Sequence, residues 1–143
     1  MTALDHAGNL VAPDGRVYFY RVELACPRSD LLIFAPGFGL ALRELRHDFG
    51  ETIVVRAGGC CRSYHYNEAE GGHETSLHVC DTPFHDAGGT AALDIESLDI
   101  RYRWRLARLA LARGWSVGCF SWGLHLDRRD YAGLAPGFFP GGA

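Results

Sequence analysis

From Ala57 to Gly89 the sequence keeps neither a helical nor a strand period, and no other feature constrains the fold as much. The segment is built largely from glycine, histidine, cysteine and acidic residues, and it lies between stretches with regular patterns. Irregular chain of this length costs conformational entropy with no continuous apolar face to offset it. Compact domains therefore keep such segments mainly where they carry chemistry. The elements on either side must form the scaffold, and the segment must be laid across it.

The flanking patterns define that scaffold. Pro36 stands at a helix-start position, and Phe38, Leu42, Leu45 and Phe49 recur at helical spacing until Gly50 ends the run. Thr52 to Arg56 is rich in β-branched residues and reads as a strand. Beyond the irregular segment, Thr90 to Glu96 reads as a strand. Ile100 to Arg113 reads as a helix with Arg101, Arg105 and Arg108 on one side, stopped by Gly114. Trp115 to Phe120 and Trp122 to Asp127 read as two strands joined tightly around Ser121. Helices with mainly adjacent strands in this order predict an α+β fold, a single domain with a small antiparallel sheet flanked by helices. Residues 1–16 are polar and Gly/Pro-punctuated and read as a lead-in, 17–131 as the domain, and 132–143 as a flexible Gly/Pro tail. At 143 residues and 48% hydrophobic, the chain can bury a core without disulfides.

Charge and cysteine content narrow the functional classes. A net charge of -3 is too mild to make nucleic acid or a membrane surface the main partner. Five cysteines with no Cys-x-x-Cys pair fit neither a disulfide framework nor a thiolate zinc knuckle, and point to reduced, mostly buried thiols. Met1 to Asn9 carries no Arg or Lys, so no signal peptide is expected, and Leu31 to Leu42 is too short to span a bilayer. The expectation is a monomer synthesised in the cytoplasm.

Four of the seven histidines, His65, His73, His78 and His85, fall in the irregular segment, with Asp81, Asp86 and Asp94 close by. A catalytic zinc site needs three nitrogen or carboxylate ligands and one open position. Two can come from this region, and the best remote third is His125. Strand alternation places Trp122, Leu124 and Leu126 on one face and Gly123, His125 and Asp127 on the other, so His125 and Asp127 point into the same space.

From Phe19 to Arg129 a series of motifs follows in order. The front half carries Arg21-Val-Glu-Leu-Ala-Cys26, Pro36-Gly-Phe and Leu42-Arg-Glu-Leu-Arg46. Gly59-Cys-Cys-Arg62-Ser63 comes next, followed by Asn67 and Gly71-Gly72. Ser76-Leu77-His78, Gly89-Thr-Ala-Ala-Leu-Asp94-Ile and His125-Leu-Asp127-x-Arg129 complete the series. In this order the motifs resemble the short, single-domain branch of the D-alanyl-D-alanine carboxypeptidase-like zinc peptidases, the Gly59 to Ser63 run standing where that family has a Ser-Gly-Tyr-Arg-Ser turn. The resemblance implies the fold shared with the hedgehog signalling domain. It also implies hydrolysis of peptidoglycan stem peptides with a zinc-activated water, as a D,D-carboxypeptidase or an endolysin-type endopeptidase acting on the cell wall. It places His78, Asp94 and His125 as zinc ligands, Arg62 on a substrate carboxylate or carbonyl, and Ser76 and Asn67 beside the substrate. Relative to that pattern, Val79 to Gly88 is inserted between the first two ligands, as a lid or specificity loop, and leaves His85 as the competing ligand.

For the proton transfers of such a reaction Asp127 is the first candidate, matched evenly against a role in orienting a ligand histidine. His73, His85 and Glu96 stand in reserve. Arg62 suits a carboxylate because its planar fork binds one bidentately, against a structural role tying its loop to backbone carbonyls. A different class of function also stands: a catalytically inactive zinc-binding or interaction module of the same fold.

Overall fold

The computed structural model describes residues 3–140. It is an α+β domain with a two-stranded antiparallel sheet and a four-stranded mixed sheet. The small sheet pairs β1 (Leu10–Val11) with β2 (Val17–Phe19). A short helix α1 (Arg21–Leu24) follows, then α2 (Phe38–Phe49), α3 (Tyr64–Ala69), β3 (Ala92–Glu96) and α4 (Ile100–Ala112). The hairpin β4 (Ser116–Phe120) and β5 (Gly123–Asp127), a 3-10 turn at Arg129–Ala132 and β6 (Phe138–Pro140) complete the chain.

The core forms where α2 and α4 cover one face of the large sheet. Phe38, Leu42 and Leu45 of α2 are fully buried, as are Leu106 and Ala110 of α4, in one cluster with Leu93, Ile95, Val117, Leu124 and Leu126. Asp99 caps α4, its Oδ1 accepting from the amides of Arg101 (2.9 Å) and Tyr102 (3.2 Å). Among the described residues no helix is long and apolar enough to cross a membrane.

Four expectations change. The large sheet runs β3-β5-β4-β6, and only its first three strands are antiparallel. After β5 the chain turns through the 3-10 segment and returns beside β4 in the same direction, so β6 pairs in parallel. The expected tail thus contributes a strand, with Gly137 O accepting from Val117 N at 2.9 Å; residues 141–143 lie outside the described residues. The lead-in also belongs to the domain, because Ala3, Leu10 and Ala12 join the core and polar neighbours mask them in the sequence; Met1 and Thr2 lie outside the described residues. Thr52 to Arg56 forms no strand. It touches β3 through one bridge, Val55 to Ile95, before the chain turns at Gly58-Gly59.

Candidate metal centre

The face of the large sheet opposite the helices carries the site. One register row crosses all four strands as Asp94, His125, Gly118 and Phe139. Because alternate residues face opposite sides, the rule that buries Leu93, Ile95, Leu124 and Leu126 turns Asp94, His125 and Asp127 to this face. Gly118 leaves a slot between His125 and the last strand. A Cβ there would lie 2.4 Å from the Phe139 ring, which stands 6.2 Å from the His125 imidazole.

His78 arrives from the irregular segment and is fixed by individual hydrogen bonds. Its carbonyl accepts from Arg62 N (2.9 Å), its amide donates to Ser76 Oγ (3.3 Å), and its Nδ1 bonds the Cys60 carbonyl (2.9 Å). The Cys60 contact requires the proton on Nδ1, so the Nε2 lone pair faces Asp94 Oδ1 at 3.2 Å. His125 Nε2 bonds Asp127 Oδ2 at 2.7 Å, and its Nδ1 meets the same Asp94 oxygen at 2.8 Å.

One ligand atom each from His78, Asp94 and His125 therefore lies within 4.8 Å of the other two, and the group could hold a metal ion. Tetrahedral zinc with bonds of about 2.1 Å sets neighbouring ligand atoms roughly 3.4 Å apart, close to the separations from Asp94. Each imidazole is oriented from behind by a carbonyl or carboxylate, as metal-binding histidines usually are. The donor set fits a divalent ion of the zinc type.

The charge state fits as well. Burial would raise the Asp94 carboxyl, but His78 and His125 beside it hold it far below its ordinary range. Burial lowers His78 despite the neighbouring Asp94, which favours the neutral form a ligand needs. Burial also opposes a charge on His125, yet Asp127 and Asp94 outweigh it and raise its pKa to about 9. Without a cation, a proton on Nδ1 takes the cation's place between His125 and Asp94.

Around these ligands the structure redistributes the expected roles. Asp127 is not placed as a base. Its Oδ1 accepts from the amide and Nε of Arg129, both at 3.0 Å, and its Oδ2 from Arg129 NH2 (2.9 Å) and His125. Burial notwithstanding, His125 and Arg129 hold its pKa near its floor, at about 2. It orients His125 from the side away from Asp94. Arg62 is mostly engaged by the protein itself: Nε donates to Gly58 O (2.7 Å), NH2 to Asp94 Oδ2 (3.1 Å) and NH1 to Asn67 Oδ1 (3.4 Å). The expected substrate clamp is thus chiefly a brace for Asp94, with the rest of its fork facing solvent. Asn67, expected beside the substrate, is buried and clamps the following turn by donating to His73 O at 2.9 Å. Ser76 does reach the cleft, while its hydroxyl caps His78.

His85 stays out of the ligand group because both of its nitrogens are engaged, Nε2 donating to Val79 O (2.7 Å) and Nδ1 accepting from Ala87 N (3.3 Å). His65 and Glu96 are exposed and do not join the group, although Glu96 lines a second cleft of about 580 Å³ that also reaches Asp94 and Arg62. Cys60 is no nucleophile, since burial and Asp94 push its thiol up to about 12.

His125 opens onto a cleft of about 630 Å³, walled by His73, Ser76, Arg62 and Arg129 and by Phe84, His85 and Asp86 of the inserted segment. That segment is anchored rather than loose: Val79 bridges Arg62, and Asp81 Oδ1 accepts from Tyr64 N at 2.7 Å.

Sequence reasoning missed the Cys60 carbonyl, the grip of Arg129 on Asp127, and Phe139. Alternation extended two residues past Asp127 would have found Arg129, whereas a backbone carbonyl leaves no residue signature. Gly59 had a readable cause only afterwards. A Cβ there would lie 2.5 Å from Arg56 O and 2.9 Å from Asp94 O, so the turn can press onto β3 only with glycine. No protein-family model matches the chain, and neither a curated protein nor a solved structure matches it.

Proposed function

We propose that this chain is a zinc-dependent peptidase of peptidoglycan stem peptides, of the D-alanyl-D-alanine carboxypeptidase-like family and the hedgehog/DD-peptidase fold. The observation that carries the reading is the convergence of His78 Nε2, Asp94 Oδ1 and His125 Nδ1, each braced from behind, beside a cleft of about 630 Å³. The order of sequence motifs supports the substrate class.

A zinc ion held by these three residues supplies Lewis-acid polarisation of a carbonyl and a water molecule of lowered pKa. The chain's own contribution is orientation. Arg129 fixes Asp127, Asp127 fixes His125, and the Cys60 carbonyl fixes His78. Arg62 holds the second oxygen of Asp94, so that its first oxygen stays turned to the two imidazoles. The remaining Arg62 and Arg129 donors, with His73, offer cationic and hydrogen-bonding contacts to a peptide's carboxylate or carbonyl groups. The protein works as a monomer on wall peptides, after synthesis in the cytoplasm.

A second reading, an inactive zinc-binding module of the same fold, is favoured by one observation: Asp127 has no oxygen left to take a proton. Metal analysis of the purified protein and of His125→Ala, together with release of products from purified cell walls, separates the two. The peptidase reading expects one equivalent of zinc and cleavage, both lost in the variant. One equivalent of zinc with intact walls supports the inactive module, and no zinc in the wild type defeats both.

A further inference from the structure

The mild net charge conceals an uneven surface on the side of the sheet away from the metal centre. Helix α4 lies there, and its exposed side is divided lengthwise. Ile100, Arg103, Trp104 and Ala107 line an apolar groove of about 200 Å³, closed on its other bank by Leu124 and Phe138. Next to this stripe, one helical step round, run Arg101, Arg105 and Arg108.

The apolar side chains are not tucked into the groove. Leu98 is 84% exposed, Ile100 68%, Trp104 58% and Phe138 51%, with Leu98 two residues before the helix and the other three around the groove. Large apolar side chains clustered on one surface indicate something that covers them. The charges beside them are also open. Arg105 pairs with Glu51, but Arg101 and Arg108 have no ion pair among the described residues, and the nearby Asp99 is occupied capping the helix. Arg103 is spoken for as well, donating to the carbonyls of Ser97 (2.6 Å), Phe120 (3.0 Å) and Ser121 (2.9 Å).

We propose that this face docks onto an anionic lipid surface, with Leu98, Ile100, Trp104 and Phe138 entering the interface and Arg101 and Arg108 meeting lipid phosphates. Charge complementarity selects an anionic partner. The protruding apolar residues select a lipid over a soluble polyanion, which would leave them in water. An exposed tryptophan flanked by arginines matches the polarity of the headgroup region. Leu124 and His125 point to opposite sides of β5, so docking this way leaves the cleft beside His125 open to the aqueous side. The proposal does not depend on the peptidase reading.

The test is cosedimentation of the full chain with phosphatidylcholine vesicles containing phosphatidylglycerol, against vesicles of phosphatidylcholine alone. Binding is expected only to the anionic vesicles. Arg101→Gln with Arg108→Gln should lower the partition coefficient about thirtyfold. Trp104→Ser should lower it at least about tenfold. These are surface positions, and unchanged circular dichroism confirms that each variant folds. Asp127→Asn, which keeps the fold while weakening the metal centre, should bind as the wild type does, which separates this outcome from any failure at that centre. Several results overturn the proposal: no binding to either vesicle, Trp104→Ser binding undiminished (simple polyanion adsorption), loss of binding in folded Asp127→Asn, or a concentration-dependent dimer that Trp104→Ser abolishes.

Discussion

The candidate metal centre is assembled from two regions held by different means. Asp94, His125 and Asp127 sit on β3 and β5, where a continuous antiparallel ladder sets their spacing and alternation sets their direction. His78 and Arg62 come from chain with almost no ladder, only the single bridge from Arg62 to Val79, and depend on separate hydrogen bonds to Cys60, Ser76, Gly58 and Asn67. Ladder bonds support one another, so one altered side chain on the sheet disturbs the chemistry while leaving the backbone in place. In the irregular half each contact is a large share of what holds the ligand.

That contrast can be broken from either side. The largest effect is expected from His125→Ala, which leaves two buried carboxylates without their shared partner. It should abolish metal binding and destabilise the metal-free protein by about 3–5 kcal/mol, read by metal analysis and urea unfolding. Next comes pH, acting through the same residue. The folded-state pKa of His125, about 9, lies above its ordinary 6.5. Its contribution to metal-free stability is therefore complete below 6.5 and disappears as pH rises through 9. Zinc displaces the Nδ1 proton, so over that interval its affinity should rise about tenfold per pH unit. Melting curves with and without zinc should separate as pH rises, and parallel curves would show that proton and metal do not compete.

Arg62→Ala tests the irregular half. It removes the brace from Asp94 and the tie to Gly58 together, and a loss of about 2–3 kcal/mol is expected, with faster amide exchange through residues 58–67 and little change in β5. Asp127→Asn tests the sheet half most gently. It keeps a hydrogen-bonding shape behind His125 but removes the charge, so folding should survive while zinc affinity falls about 10- to 100-fold by competition with a chromogenic chelator.

The same contrast explains what could be read in advance. Helix α2 was legible from Phe38, Leu42 and Leu45 with Gly50 as its stop, and α4 from its periodicity. The hairpin was legible because alternation alone sets which side His125 faces. Helix α3 was not, since it is six residues long with no apolar stripe, and of the contacts that secure its start only the Ser63 cap is local while the Asp81 contact is tertiary. The roles of Arg62 and Asp127 turned on which partners saturate their polar atoms, and spacing carries no information about that. β6 was hidden by Pro140 and by the glycines and proline that flank it in the sequence, and the slot at Gly118 gives Phe139 a place to go.

β6 has a further consequence. It is an edge strand of three residues, paired among the described residues with β4 alone, and it ends on Pro140, which has no amide proton to donate. It can open as a small local unit while the ladder between β3, β5 and β4 stays closed. Such opening would carry Phe139 off the His125 ring and loosen the stacking of Arg129, whose guanidinium lies 4.9 Å from the centre of that ring. The Arg129 side of the cleft is thus able to breathe on its own timescale, while His78, Asp94 and His125 keep their places. Amide exchange at Val117, whose proton points to Gly137, would report how often it does so.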